Sequence, residues 1–153
     1  MDEDEIKQYI ILRKDAKTVT GEPVSPYKLA VMTSHASMAF LTNMIKQSAK
    51  KVDYSDYYMA NLLIDSELYE GWITGIFTKV LLAAKNLNDL NKAVRKAEEL
   101  GLKEGIDFVK IEDACLTELV PDEGSDRCFI AIGFKPMKVS KIRDLTKKYQ
   151  LYR

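Results

Sequence analysis

An amine, a carboxylate and a hydroxyl, those of Lys28, Asp113 and Thr117, are the side chains of this sequence whose types and placement could do chemistry together. Hydrolysis by water needs one group to orient or deprotonate the water and a cation or donor to hold the oxyanion that forms. Asp113 is of the first type, and Lys28 and Thr117 are of the second. No nucleophilic side chain is required. Lys28 falls in the first turn of a helix announced by Ser25-Pro26, an N-cap followed by proline at the one helical position where a missing N–H costs nothing. The positive end of a helix dipole disfavours a cation there by roughly 0.3–1 kcal/mol, so the lysine asks for a reason. Asp113 and Thr117 follow an apolar run, Ile106 to Ile111, read as a strand. If that strand and the first one run parallel, all three groups reach one edge of a sheet. The bland reading stays open: Lys28 and Asp113 as an ordinary ion pair tying a helix to a loop.

The only histidine, His35, follows Lys28 and Met32 at helical intervals and shares their stripe. In mid-helix among apolar residues it reads as a neutral, hydrogen-bonded structural group. The two cysteines, Cys115 and Cys128, have no metal-ligand spacing to each other or to His35, so neither a zinc site nor a disulfide framework is indicated. Both read as reduced and packed. A Cys128–His35 nucleophilic pair lacks any activating environment in the sequence.

Those residues need elements to place them. QYIILR, residues 8–13, is apolar without alternation and predicts a central strand covered on both sides. Lys17 to Val24, with Gly21 and Pro23, is a loop that delivers the chain to the Lys28 helix. On that helix Tyr27, Val31, Met38, Leu41 and Ile45 are expected to form the buried face. Tyr54 to Tyr69 reads as a helix, with a lid, a partner surface or an extended hairpin as alternatives, and packing or an interface is preferred to base stacking for its tyrosines. Phe77 to Ala83 predicts a second strand. A helix from Asn88, with Leu90, Ala93, Val94, Ala97 and Leu100 as its stripe, ends at Gly101. Ile106 to Ile111 and Cys128 to Phe134 are the third and fourth strands, and Val139 to Tyr149 is a closing helix. This order predicts an α/β domain with parallel crossovers and one antiparallel strand.

The helix segment Lys28-Leu29-Ala30-Val31-Met32 with His35-Ala36 resembles the signature of the type-II peptidyl-tRNA hydrolase family. So do Leu12-Arg13-Lys14-Asp15 at the first strand end, Thr78 to Leu82, Gly101-Leu102, Asp113-Ala114-Cys115-Leu116-Thr117, and Ile130 to Gly133, in the family's order. The resemblance implies a three-layer α/β/α fold with a mixed, mainly parallel four-stranded sheet, spanning residues 1–153 with a helical or irregular insertion at about 50–72. It implies Lys28, Asp113 and Thr117 as catalytic residues acting without a cofactor or metal on the ester that joins a peptide to the terminal ribose of tRNA. It places Arg13, Asp15, Met32, His35, Ser125 and Cys128 around the substrate, and it implies homodimerisation. Three positions depart from the family pattern: Met32 stands for Gln, Cys115 for Gly, and Cys128 for a second Thr. Each removes polarity or backbone freedom at the site.

With 153 residues, 46% hydrophobic and 30% charged, the chain has the balance of one globular unit. No apolar run is long enough to cross a bilayer and the start, Met1 to Glu5, is acidic, which predicts a cytoplasmic protein with no membrane partner. The formal charge of zero argues mildly against a nucleic-acid partner. The basic C-terminal segment, Lys135 to Arg153, allows a phosphate-binding face, or simply a solvated helix. Three functions follow: ester hydrolysis on peptidyl-tRNA, a catalytically inactive protein of the same fold that recognises a protein or small ligand through Tyr54 to Tyr69, or hydrolysis of some other ester or amide with the same site.

Overall fold

The computed structural model describes residues 2–153. In chain order the elements are β1 (Ile6–Arg13), α1 (Pro26–Ser48), the short strands β2 (Lys50–Lys51) and β3 (Tyr58–Met59), and α2 (Ser66–Leu68), which runs into a π-helical turn (Tyr69–Ile73). There follow β4 (Lys79–Ala84), α3 (Leu87–Glu99), β5 (Phe108–Asp113), β6 (Cys128–Phe134), β7 (Met137–Lys138), α4 (Val139–Thr146) and β8 (Gln150–Leu151).

β1 is central because both of its faces are covered. Tyr9, Ile10, Ile11 and Leu12 are all buried, which is why the strand reads as a continuous apolar run. Its one buried polar residue, Gln8, is satisfied: its amide donates to the carbonyls of Ser37 and Phe134, and it accepts from the Ser37 hydroxyl. That network joins β1, α1 and β6 at one point.

The sheet order is β5-β6-β1-β4-β8, with β7 beside the start of β1. β1 and β4 pair in parallel, whereas β6 is antiparallel to both β1 and β5. Three of the four long strands, β5, β1 and β4, therefore point the same way. The expected mixed α/β sheet is present, with six strands rather than four. The two extra ones, β7 and β8, are two-residue edges too short to leave a pattern. α1 packs on one face, where Met32 and Ala36 meet Ile10, Leu12 and Ala131. α3 and α4 pack on the other, where Leu90, Ala93, Ile142 and Leu145 meet Tyr9, Ile11 and Phe134.

The structure corrects several boundaries. The buried face of α1 is Met32, Ala36, Ala39 and Phe40, while the expected Tyr27, Met38 and Ile45 are exposed and Val31 and Leu41 are half-buried. Where the helix lies closest to the sheet, over Gly133, the small Ala36 faces it. Residues 54–65 are not helical: β2 and β3 form a hairpin whose turn carries Tyr54 at φ 56, and helix begins only at Ser66, capped by Asp65. Phe77 is not in β4 but in a left-handed turn (φ 65), stacked on Trp72. Ile106 is exposed ahead of β5, so Asp113 is the strand's last residue rather than one beyond it. α4 stops at Thr146, and Tyr149 lies past it with its hydroxyl donating to the Asp89 carbonyl.

Burial pushes the Tyr149 phenol and the Cys128 thiol each up to about 12, from ordinary values of 10.0 and 9.0. Between pH 9 and 12 the native chain therefore keeps protons that the unfolded chain has lost, and stability falls as pH rises through that window. The urea midpoint is expected to lose its contribution from these two groups from pH 9 upward, with proton uptake on refolding. A midpoint flat to pH 12 would contradict this.

Candidate active site

Ser25 opens α1 in an extended conformation (φ −61, ψ 148), and its hydroxyl accepts from the Lys28 N–H at 3.2 Å. The first turn of α1 holds no acidic residue of its own. Carboxylates from the far end of the chain take that place. Glu118 accepts from the Ser25 N–H at 2.7 Å and from the Ser25 hydroxyl at 3.0 Å. Asp113 accepts from the Lys28 ammonium at 3.0 Å. The lysine that the helix dipole disfavours is thus held by Asp113, while Glu118 satisfies the Ser25 cap at the same helix end.

Asp113 is itself fixed. Its second oxygen accepts from the Cys115 N–H at 2.9 Å, a side-chain-closed turn that sets the carboxylate's orientation. Cys115 adopts φ 59, the left-handed conformation that glycine takes without cost, and so keeps the loop path at a steric penalty of about 1–2 kcal/mol. The loop returns Thr117 to Lys28, whose ammonium donates to the Thr117 hydroxyl at 3.4 Å. The Lys28 and Asp113 side chains are 13% and 12% exposed, and Thr117 lies on the exposed side. The pair is largely desolvated yet open to water beside the hydroxyl.

A second cluster sits next to it, at the end of β1. Arg13 donates to Asp15 at 2.5 Å, to Asp122 at 2.7 Å and to the Phe129 carbonyl at 3.2 Å, and Asp122 in turn accepts from the Phe129 N–H. Burial alone would lower the Arg13 pKa, but the hydrogen bonds to Asp15 and Asp122 outweigh it and raise the group above its ordinary value. This fork ties the loop after β5 to the start of β6.

Lys28, Asp113 and Thr117 therefore converge, and Asp15, Asp122 and Cys128 gather around Arg13. Met32 and Cys128 are buried in the core beneath α1. His35 is exposed two turns along α1, its side chain in no hydrogen bond among the described residues, and Ser125 lies in an exposed turn with its hydroxyl accepting from the Arg127 N–H. The Cys115 thiol is raised by burial and by the Asp113 carboxylate, and Cys128 stands near 12, so neither thiol is activated. Glu118 and Asp122 organise the site but carry no sequence signal of their own. Only Glu118's position beside Thr117 hints at it.

The arrangement can hold a water against a carboxylate and present an ammonium and a hydroxyl to developing negative charge. Residues 6–152 match the family model described as peptidyl-tRNA hydrolase PTH2. With its α/β fold and that match over nearly the whole sequence, the chain belongs to the peptidyl-tRNA hydrolase PTH2 family.

Proposed function

We propose that this protein hydrolyses the ester linking a peptide or N-acyl-aminoacyl group to tRNA, using Lys28, Asp113 and Thr117 and no cofactor. The observation that carries the reading is the Lys28 ammonium held 3.0 Å from Asp113 and 3.4 Å from Thr117, in a chain of this family. Asp113 orients Lys28 and the attacking water. The bond from water oxygen to the acyl carbon forms, Lys28 holds the oxyanion, and Thr117 donates or relays a hydrogen bond. The ribose oxygen departs and takes a proton, leaving a carboxylate and free tRNA. Arg13 and Asp15 frame the entrance with Ser125 and His35 at its margins, while Met32 and Cys128 support its floor from beneath.

Purified protein should release N-acetyl-aminoacyl groups from tRNA well above the uncatalysed rate, with catalysis weakening as salt rises. Hydrolysis no faster than buffer would remove the enzymatic reading. A second reading, an inactive binding protein, draws on the exposed Tyr54, Tyr57, Tyr58 and Leu63 around the hairpin. It predicts no hydrolysis and no salt-dependent tRNA binding.

A further inference from the structure

A groove of about 670 Å³ opens on the same edge of the sheet as the Lys28–Asp113 pair, where β1 and β4 end and α3 begins. Lys14, Lys85, Lys148 and Arg153 line it, and all four are exposed. Among the described residues none of the four is ion-paired with a carboxylate side chain. The one acid in the wall, Asp89, is engaged by the Lys85 N–H at 2.9 Å. A second hollow of about 270 Å³ shares Asp89, Lys148 and Tyr149 with the first and carries the cationic surface on to Lys92 and Arg95 of α3.

The groove takes two of its cations, Lys148 and Arg153, from the basic C-terminal segment and the other two, Lys14 and Lys85, from the residues that follow β1 and β4. Lys135, Lys138, Arg143 and Lys147 are paired with Asp65, with Asp4 and Glu67, with Glu3, and with Asp144 respectively. The groove's cations come from three separate parts of the chain brought together by the sheet, and Lys14 among them donates to the Arg153 backbone carbonyl at 3.0 Å. The loop after β5 is acidic, with Glu118, Asp122, Glu123 and Asp126, but the Asp122 carboxylate is paired with Arg13, the neighbour of Lys14. The exposed cations of the groove attract a polyanion.

We infer that the groove lined by Lys14, Lys85, Lys148 and Arg153 is where the RNA sugar-phosphate backbone docks, setting the direction from which the acylated end enters. The inference rests on the proposed hydrolase reading for its substrate. Lys14 directly follows Arg13, and Asp113 ends β5, three strand spacings from β4 or about 14 Å. One RNA strand spans that distance, so phosphates lie in the groove while the ester reaches Lys28.

The test compares two double charge reversals of equal net charge: Lys85→Glu with Lys148→Glu in the groove, and Lys50→Glu with Lys51→Glu in the hairpin. The hairpin follows the far end of α1, roughly 30 Å from Lys28 along the helix axis. Binding of deacylated tRNA at about 0.1 M salt should fall at least tenfold for the groove pair and little for the hairpin pair. The slope of log affinity against log salt should become shallower by about 0.7–0.9 for each phosphate that is no longer neutralised. Equal falls in affinity for the two pairs, or none, would overturn the groove. Should the reversed pair fail to fold, Lys85→Gln with Lys148→Gln gives the same ordering with a smaller fall. Wild-type hydrolysis of an N-acyl-aminoacyl ester on a short CCA oligonucleotide tests the catalytic reading separately. Its failure alongside groove-dependent tRNA binding sinks the hydrolase and leaves the groove. Its success alongside groove-independent binding does the reverse.

Discussion

Lys28→Ala is expected to lower turnover of N-acetyl-aminoacyl-tRNA by about 10²–10³-fold, the scale on which removal of a single oxyanion-stabilising donor acts. The loss should appear in kcat more than in KM, because the ester oxygen that the ammonium faces carries full negative charge only as the oxyanion develops. Asp113→Asn separates the catalytic role from the structural one. Its amide oxygen still accepts from the Cys115 N–H and holds the loop turn, but it can no longer fix the ammonium as an ion pair or draw a proton from water. Turnover should fall by at least about 10²-fold while the fold persists. If the pair only tied α1 to the loop, both substitutions would shift the melting temperature and leave kcat near wild type. Single-turnover rates together with thermal melts of the two variants decide between these outcomes.

The site is legible in proportion to how local its signals are. Ser25-Pro26 marks a helix start without any tertiary knowledge, and Asp113 follows a recognisable strand, so the meeting of Lys28 and Asp113 needs only the parallel sense of β1 and β5. Glu118 and Asp122 are invisible in the sequence because their work is entirely long-range: one caps a helix 93 residues away, the other holds an arginine 109 residues away. His35 reads as a covered residue because its helix looks apolar on that side, whereas the buried stripe of α1 runs through Met32, Ala36, Ala39 and Phe40 and leaves His35 on its exposed flank. The same misphasing puts Tyr27, Met38 and Ile45 in the core. A pattern that weights large apolar side chains fails where a helix approaches a sheet backbone to backbone, since contact there is made by alanine. The hairpin β2–β3 is hidden for a different reason. Its strands are two residues long and wholly exposed, so no burial period exists to be read.

That close approach carries the largest expected effect on stability. Gly133 is the next-to-last residue of β6, paired with Ile10 of β1 on one side and Val109 of β5 on the other. A Cβ added there would stand 1.9 Å from the Ala36 carbonyl oxygen and 2.7 Å from its carbon. Neither partner can yield cheaply. The strand is pinned by ladders on both edges, and the obstacle is helix backbone rather than the end of a flexible side chain. Gly133→Ala must therefore lift α1 off the sheet by roughly an ångström or more, unpacking Met32, Ala36 and Ala39 and drawing Lys28 away from Asp113. We expect a loss of at least about 3 kcal/mol in urea unfolding, or failure to accumulate folded protein. Gly124→Ala is the informative contrast. Nothing lies within 4 Å of its added Cβ, so only its φ of +76 opposes the change, at about 1 kcal/mol. Equal urea midpoints for the two variants would show that α1 has room to move, and the placement of Lys28 by the close approach of Ala36 to Gly133 would then fail as an account of the site.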